Sequence, residues 1–511
     1  MCWPASAQRL RDDMHYHPSK RYHWDFWMIQ RGDVVHSFYL SRPRPGAEAD
    51  PDALDWIGHA TSANLFDWDE QDPAIPPGCA GALDDMKPWT GHIIEHQGRY
   101  YLYYTGRRRA EQGRIQRTML ATSTDLYSWT KHPAPVMAPD PRWYVSESHP
   151  DEAGAVGWRD PVIVRDRQSG WFHAFLATYS ATGDMAQRGC VAHARSRDLL
   201  SWEILPPAFA PQRYATIEVP DVFFLDGRWY ITLLTGTAYG NRRGSFSDPN
   251  VEMGTIYAVS DSLDAPFREL SENVLIGARW WEGTSCRSVD FNGARYLFYF
   301  QCERRGDHDC GEFTWGVLSN PKILTTTRQG FLRAAYLPIP GSHLGASSPE
   351  DAVTIAGTPA RTIGSGLWTA TDSIGTGSCR SGWSVVLGQA KQQDFVLSVN
   401  VTVREGRSAG IVFHAGDDLG AYAVLLDLDA QEVLLTRIFQ LDKLQARRAD
   451  LKRNVMYHVR IVAKWPFYEV YVDDLLLINC VRYDMPAGQT GFLVEEGSAD
   501  FESLESRVLA G

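Results

Sequence analysis

The feature that most constrains the fold is a pair of hairpin signals that recurs five times within the first 320 residues. The first signal is a glycine turn followed by an aromatic β-run, as in GDVVHSFYL from Gly32, GRYYLYYTG from Gly98, GWFHAFLATY from Gly170, GRWYITLLTG from Gly227 and GARYLFYFQC from Gly293. Such runs are typical of strands that leave a β-hairpin. The second signal follows each run, most clearly as ATSANLFDW, ATSTDLYSW and ARSRDLLSW from residues 60, 121 and 194. Each repeat is therefore expected to hold about four strands.

Four-stranded units in tandem are the sequence signature of a β-propeller. We therefore predict an all-β protein with a five-bladed β-propeller over residues 1–325 and a turn-rich connector over residues 326–350. Residues 351–511 show short apolar runs at close intervals with little helical periodicity, which predicts a β-sandwich. The alternative for the first region is a long antiparallel sandwich that reuses hairpins.

Charge and composition exclude several classes of function. Acidic residues outnumber basic ones by 62 to 50, and the net charge of −12 repels nucleic acid and anionic membranes. The chain has no long apolar stretch and no leader-like start, so we expect a cytoplasmic protein. The eight cysteines are scattered, so we expect reduced thiols and neither a metal nor a cofactor. The 18 Trp, 22 Tyr and 21 Phe suit sugar binding, because flat rings stack on the apolar faces of sugars.

Three carboxylates stand just before turn glycines. Asp25, Asp160 and Glu218 precede the glycines of the first, third and fourth repeats by seven, ten and nine residues. In a propeller these segments would be the inner strands around the axial channel, so the three acids are expected to converge there. Glycosidic bond cleavage requires two such acids, one that attacks and one that donates a proton. The alternative is that each acid caps a turn or pairs with a neighbour such as Arg159.

Four motifs carry a resemblance to a known family. The sequences are WRDP at residues 158–161, EVPD at 218–221, WIGHATS at 56–62 and WTG at 89–91. They are similar to the Arg-Asp-Pro, Glu-Cys-Pro-Asp, Trp-Gly-His-Ala-x-Ser and aromatic-Ser-Gly motifs of glycoside hydrolase family 32, the invertases, inulinases and levanases. The resemblance implies a five-bladed propeller joined to a C-terminal β-sandwich over nearly the whole chain.

The same resemblance implies roles for the acids. Asp25 would be the nucleophile, Asp160 the transition-state stabiliser and Glu218 the general acid/base. The sequence departs from the family at the nucleophile, where Trp24-Asp25-Phe26-Trp27 stands in place of Trp-x-Asn-Asp-Pro-Asn-Gly. The candidate substrate-binding residues are Arg159, Trp89, Thr90, Trp24, Trp27, His59 and His92.

The expected function is that of a retaining glycoside hydrolase acting on β-fructofuranosyl linkages in fructan, sucrose or a related fructofuranoside. Transfer to another sugar would use the same residues. Two alternatives stay open: an inverting glycosidase like the arabinofuranosidases and xylosidases of family 43, and a non-catalytic propeller that binds glycans. A retaining pair would place the carboxyl groups of Asp25 and Glu218 about 5–5.5 Å apart, whereas an inverting pair needs roughly 6.5–9.5 Å.

Overall fold

The described part of the chain is nearly all β, with 61% of its residues in strands and 2% in helices. This computed structural model describes residues 14–44, 55–345, 361–370, 374–417, 420–438 and 442–510. Helical structure in those ranges is limited to short 3-10 turns, namely Arg109–Glu111, Thr237–Tyr239 and Gly341–His343. Within the same ranges no helix has the length and apolarity to cross a bilayer.

The chain divides into two compact units. The first unit comprises residues 15–302 and 315–334, and the second comprises residue 14, residues 303–314 and the described residues from 335 onward. The predicted connector, residues 326–350, is thus divided at residue 335, and its last five residues lie outside the described ranges. The loop 303–314, which the sequence placed in the first domain, groups with the second unit.

Antiparallel meanders build the first unit. Its strands are, in chain order, β1 (Arg21–Arg31), β2 (Val34–Pro43), β3 (Trp56–Ser62), β4 (Asp69–Ile75), β5 (Lys87–His96), β6 (Arg99–Arg107), β7 (Gln116–Ser123), β8 (Thr130–Lys131), β9 (Trp158–Arg165), β10 (Phe172–Tyr179), β11 (Gly189–Ser196), β12 (Glu203–Phe209), β13 (Glu218–Leu225), β14 (Arg228–Gly236), β15 (Met253–Ser260), β16 (Arg268–Ala278), β17 (Thr284–Phe291), β18 (Ala294–Arg304), β19 (Phe313–Leu318) and β20 (Lys322–Thr326). Consecutive strands pair within β1–β4, β5–β8, β9–β12 and β13–β16. In the last group β18 pairs with β17 and with β20.

The five glycine turns predicted from the sequence are confirmed as hairpins. They join β1 to β2, β5 to β6, β9 to β10, β13 to β14 and β17 to β18. Each turn glycine has a positive φ, which residues with a side chain adopt less readily. The φ values are 59° at Gly32, 75° at Gly98, 72° at Gly170, 84° at Gly227 and 84° at Gly293.

The second repeated signal forms a second kind of turn. In three repeats a serine hydroxyl accepts a hydrogen bond from the backbone N–H of the leucine three residues later, a local bond that competes with regular strand pairing. The pairs are Ser62 and Leu65 at 2.8 Å, Ser123 and Leu126 at 2.9 Å, and Ser196 and Leu199 at 2.9 Å. The three leucines share positive φ values of 71°, 72° and 64°. The sequence repeat therefore encodes one conformation used three times.

The beginning and the end of the first unit are joined. Strand β1 pairs with β19 as well as with β2, through the register of His23 opposite Gly316. Just before β1, Tyr16 and Leu318 exchange two backbone hydrogen bonds of 3.1 Å. Segments almost 300 residues apart in the sequence are thus held side by side.

The remaining strands lie after residue 331, and all of them except the first three residues of β21 belong to the second unit. They are β21 (Leu332–Ala335), β22 (Arg361–Gly364), β23 (Leu367–Ala370), β24 (Ile374–Gln392), β25 (Phe395–Glu405), β26 (Ser408–Ala415), β27 (Tyr422–Asp427), β28 (Glu432–Arg437), β29 (Asp442–Arg448), β30 (Met456–Lys464), β31 (Phe467–Val472), β32 (Leu475–Val481) and β33 (Gly488–Val508). The long strand β33 pairs with β24, β25 and β26. Inward-facing apolar residues such as Val399, Ile411 and Phe492 form the core of the second unit, as the alternating strand pattern requires.

Candidate active site

The first strands of the five hairpins, β1, β5, β9, β13 and β17, carry an irregularity at the same place. Each has a register shift against its partner near its beginning. The shifts lie between His23 and Phe26, Trp89 and Gly91, Arg159 and Val162, Glu218 and Asp221, and Thr284 and Arg287. Such bulges turn a side chain away from the regular alternation of a strand and are frequent beside active sites. All three candidate acids lie at these bulges.

Three of the bulges contain a residue with side chain in the left-handed backbone region. The φ values are 55° at Asp160, 49° at Val219 and 53° at Ser285. This conformation is costly for a residue with a Cβ, and most of all for a β-branched residue such as Val219. Strain of this kind persists where the surrounding structure imposes it, and here it coincides with the candidate acids.

The bulge of β5 supports Asp25. The Thr90 hydroxyl, on a residue only 1% exposed, donates a 3.0 Å hydrogen bond to Oδ2 of Asp25. Gly91 follows because β6 passes too close for a side chain, and a Cβ there would lie 2.2 Å from the carbonyl oxygen of Tyr103. The Trp89-Thr90-Gly91 motif therefore aims one hydroxyl at the carboxylate of the neighbouring hairpin.

Arg159 joins the other two acids. Its Nη2 donates to Oε1 of Glu218 at 2.8 Å, and its Nε lies 3.7 Å from Oδ2 of Asp160. Oδ2 of Asp160 also accepts a 3.0 Å bond from the backbone N–H of Val219. Arg159 and Asp160 are 5% and 3% exposed, and the side chain of Glu218 is 22% exposed. The ion pairs are therefore shielded from solvent while Glu218 reaches the open side of the site.

Burial raises the pKa values of two of the acids. It raises the pKa of Asp25 to about 6, although the hydroxyls of Ser285 and Thr90 oppose the change, and the charge of Glu218 raises it further. Burial also raises the pKa of Asp160 to about 7 against the opposing charge of Arg159, and the charges of Glu218 and Asp25 add to the rise. Carboxyl groups coupled in this way titrate as a unit. The cluster can hold one proton near neutral pH beside an ionised carboxylate, which is the requirement for paired acid and base chemistry.

In the described ranges, no group of three or more His, Cys, Asp or Glu side chains has an arrangement that could hold a metal ion.

Residues 15–271 match the family described as "Glycosyl hydrolases family 32 N-terminal domain", which covers half of the chain. The chain belongs to glycosyl hydrolase family 32. This confirms the resemblance carried by the four sequence motifs.

Family 32 relatives are distant in sequence and similar in fold. A beta-fructofuranosidase, insoluble isoenzyme, of Arabidopsis thaliana is 29% identical over 224 residues, which is 42% of this chain and 36% of that protein. An exo-inulinase of Aspergillus awamori superposes with a TM-score of 0.68 at 15% identity, covering 97% of each chain. A fructan 1-exohydrolase IIa of Cichorium intybus superposes with a TM-score of 0.67 at 17% identity, and the alignment again covers 97% of each chain. The likeness extends over both units and supports the predicted propeller with a sandwich.

Among the predicted sugar-binding residues of this family 32 chain, Trp24, Trp89 and His92 lie on the inner strands. Trp24 is 9% exposed, and its ring lies 5.2 Å from that of Trp315. Trp89 is partly exposed, and the guanidinium of Arg107 covers one face of its ring at 3.8 Å. His92 Nδ1 accepts from the backbone N–H of Ile163 at 3.4 Å, and burial lowers its pKa to about 3. His92 is thus neutral near pH 7.

Two predicted sugar contacts lie in packed interior positions. His59 is on β3, 1% exposed, where its Nε2 lies 2.9 Å from Nδ1 of His36 and its ring stacks on Phe38 at 4.4 Å. Trp27 is also 1% exposed and stacks on the same Phe38 at 6.4 Å. Both side chains pack between strands in this structure.

Sequence reasoning missed three residues of the site. Arg287 and Ser285 come from the β17 bulge, and Tyr239 hydrogen-bonds Glu218 and makes an edge contact with Trp281 at 5.1 Å. A signal for Arg287 was present, since it precedes its turn glycine by six residues, close to the seven of Asp25. Arg287 is not part of the pattern of carboxylates, because its charge is of the opposite sign.

Proposed function

We propose that this chain is a retaining glycoside hydrolase that acts on β-fructofuranosyl linkages in fructan, sucrose or a related fructofuranoside. The observation that carries the proposal is the cluster of Asp25, Asp160 and Glu218, which come from equivalent bulges on three inner strands. Membership of family 32 and relatives named beta-fructofuranosidase and exo-inulinase support the choice of sugar. The alignment with the curated relative spans about a third of its length, so the activity is proposed for this chain on its own geometry.

In the proposed reaction, Asp25 attacks the anomeric carbon and Glu218 protonates the departing glycosidic oxygen. Glu218 then removes a proton from water, which releases the sugar from Asp25. Asp160 and Arg159 bind hydroxyls of the furanose ring and stabilise the positive charge of the transition state. The 2.8 Å bond from Arg159 fixes the orientation of Glu218 before substrate arrives.

The protonation states follow from the coupling of the acids. A pKa of about 7 for Asp160 keeps a proton within the cluster at neutral pH. A pKa of about 6 leaves Asp25 mostly ionised under the same conditions. We expect carboxyl groups about 5–5.5 Å apart for Asp25 and Glu218, as in other retaining pairs.

We also propose that the first unit is a five-bladed propeller. The five glycine hairpins, the five equivalent bulges and the pairing of β1 with β19 support this number. Hydrolysis and transfer use the same three acids, and the shape of the acceptor site decides between them.

Methanolysis tests the proposal. The protein is incubated with sucrose, inulin, levan and aryl arabinofuranosides in aqueous methanol, and the first methyl glycoside formed is identified by NMR. A retaining fructofuranosidase yields the methyl β-fructofuranoside. Methyl α-fructofuranoside, or turnover of arabinofuranosides alone with inversion, would instead support the family 43 type of mechanism with Asp25 as a base. No turnover of any of these substrates would favour a glycan-binding propeller.

A further inference from the structure

The connection from β6 to β7 carries a surplus of positive charge. Residues 107–117 read RRRAEQGRIQR, which is five arginines and one glutamate. That glutamate, Glu111, is bound to Arg117 at 2.6 Å, and Arg117 also lies 3.2 Å from Glu147. The other four arginines form no ion pair with any described residue, and they are Arg107, Arg108, Arg109 and Arg114. The loop is thus a positive patch on a chain whose net charge is −12.

The corresponding loops of the next two hairpins differ in this respect. The loop after β14 carries Arg242 and Arg243, and both lie near carboxylates. Arg242 is 3.6 Å from Asp184, which belongs to the loop after β10, and Arg243 is 3.8 Å from Glu252. All three loops follow the second strand of a glycine hairpin. Unmatched charge therefore distinguishes the loop after β6 from loops in equivalent positions.

The loop after β6 lies at the end of its hairpin that also carries the bulge. Arg107, the last residue of β6, is paired with Lys87, the first residue of β5, and the bulge begins two residues later at Trp89. The next residue, Thr90, donates the 3.0 Å hydrogen bond to Asp25. In the proposed reaction the acids and Arg159 bind the fructosyl unit, so the loops at this end are left for the rest of the substrate.

The guanidinium of Arg107 is held in one position. Its Nε donates a 3.0 Å hydrogen bond to the carbonyl oxygen of Gly113, and its carbon lies 3.8 Å from the centre of the Trp89 ring. Gly113 has a φ of 68°, and a Cβ there would lie 2.3 Å from Nη2 of Arg107, so both conformation and contact require glycine. Within the described ranges the two Nη atoms make no hydrogen bond, which leaves a fixed pair of donors for a ligand.

These charges are partly withdrawn from water without a counter-charge. Arg107 is half-buried, and burial lowers its pKa. The Nε atom of Arg108 is buried and has no hydrogen-bond partner among the described residues. The carboxylate of Asp85 accepts from the backbone N–H groups of Arg109 and Gly81, at 2.6 and 2.8 Å, and not from a guanidinium. Uncompensated charges of this kind destabilise the folded state and concentrate at functional sites.

We propose that the loop after β6 binds an anionic group, a phosphate or a carboxylate, on the part of the substrate that leaves, with Arg107 as its central donor. The proposal rests on the proposed function and narrows the substrate to fructofuranosides with an anionic leaving sugar. A guanidinium suits both anions, because its parallel N–H groups match their oxygen atoms. The other unpaired arginines of the loop attract the anion before contact is made.

Three substrates that differ only at C6 of the glucose ring test the proposal. They are sucrose, sucrose phosphorylated at that carbon, and sucrose oxidised there to the carboxylate. The wild type should have a higher kcat/KM for at least one anionic substrate than for sucrose, and the preferred substrate identifies the group. Arg107→Gln should lower this ratio of kcat/KM values about 10–100-fold, because bonds to a charged group are lost. A wild type without the preference, or a folded variant that keeps it, would overturn the proposal.

Two further variants control for folding and for general effects. Arg242→Gln is the matched control, because Arg242 lies in the equivalent loop and is paired with Asp184, and it should keep the wild-type ratio. The double variant Arg109→Gln/Arg114→Gln changes two exposed residues and should lower the ratio several-fold. If Arg107→Gln does not fold, this double variant decides, and an unchanged ratio in it would then overturn the proposal.

A binding measurement does not depend on catalysis. Glucose 6-phosphate and glucuronate, the two anionic leaving sugars, are titrated into the full-length protein by calorimetry. The preferred one should bind wild type and Arg242→Gln alike, and Arg107→Gln at least about tenfold more weakly. If this is observed and no fructoside is cleaved, the proposed function fails and the anion site stands. If sucrose is cleaved with retention and neither sugar binds, the anion site fails and the proposed function stands.

Discussion

Two regions of the first unit bury ionisable side chains, and they do so in opposite ways. On β2 and β3, His36 and His59 share a 2.9 Å hydrogen bond, and the ring of His59 stacks on Phe38. The arrangement recurs in another repeat, where His173 and His193 lie 2.9 Å apart beside Phe175. At the axial cluster, carboxylates lie in strained bulges, repel one another and face a guanidinium without hydrogen bonds.

The difference shows that burial of an ionisable group does not by itself indicate function. Burial lowers the pKa of His59 to about 3, so the ring stays neutral and acts as a flat packing unit. Burial raises the pKa of Asp25 to about 6, so its charge changes within the working range of an enzyme. What separates the two regions is uncompensated charge together with backbone strain.

The largest expected effect comes from removing the nucleophile. Asp25→Ala should lower kcat/KM on fructosides by at least about 10⁴-fold, because no other group can attack. The matched His59→Phe variant should stay within a few-fold of wild type, since its ring only packs. Steady-state kinetics of both variants measure the contrast. If Asp25→Ala and His59→Phe lost kcat/KM to a similar extent, the two regions would not differ in function as proposed.

Replacing the proposed acid/base should lower activity by a factor that depends on the leaving group. Glu218→Ala should lose about 10²–10⁴-fold on sucrose and much less on an activated aryl fructofuranoside, whose leaving group needs little protonation. Azide should restore turnover of Glu218→Ala with retained configuration, and should not restore Asp25→Ala. The product is identified by NMR. Equal loss on both substrates would argue against an acid/base role.

The raised pKa of Asp25 predicts a pH-dependent stability. Below its ordinary pKa of 3.8 the carboxyl is protonated in both states and contributes no difference. As the pH rises toward 6 the unfolded chain loses this proton before the folded protein does, so folded stability falls. Asp25→Asn should therefore stabilise the protein by about 1–3 kcal/mol above pH 7 and by almost nothing at pH 4. Thermal melts at pH 4 and pH 8 measure the difference in stability between the variant and the wild type. A stabilisation at pH 4 equal to that at pH 8 would contradict the prediction.

The smallest effect is expected in the histidine stack. His59→Phe keeps the stacking and deprives His36 of its partner, which should cost about 1–2 kcal/mol of stability at neutral pH. In the wild type, His59 stays neutral when folded and becomes charged when unfolded below about pH 6.5, so stability falls as the pH drops from there toward 3. The variant should lose part of this acid sensitivity. Denaturant titrations at pH 5 and pH 8 compare the two proteins.

Much of the fold and of the site could be predicted from the sequence, for identifiable reasons. Glycine turns and the Ser-to-Leu turns depend on local conformation, so the residue pattern alone was enough to place five hairpins. Asp25, Asp160 and Glu218 were found because acids are conspicuous among apolar strand residues. Their assembly into one cluster follows from the equivalence of the repeats.

The packing of Trp27 has a physical cause that the sequence does not show. In a regular strand, residues i and i+2 share a face, which would put Trp27 on the same side as Asp25. The bulge between His23 and Phe26 breaks that alternation, and Trp27 turns toward Phe38. Register irregularities leave no clear mark in the sequence. Arg287 was missed for another reason, because its charge is opposite to that of the acids and its surroundings come from other strands.

The pairing of β1 with β19 also has a consequence for biosynthesis. The strand that carries Asp25 is synthesised well before its partner β19, because His23 pairs with Gly316, almost 300 residues later in the sequence. At about 5–20 residues per second, the nascent chain waits at least about 15 seconds for this partner. During that interval the edge of β1 is an unpaired template for other chains. Strand β1 therefore gains its partner β19 only after the strands between them have been synthesised, and we expect a chain truncated before residue 313 to be prone to aggregate.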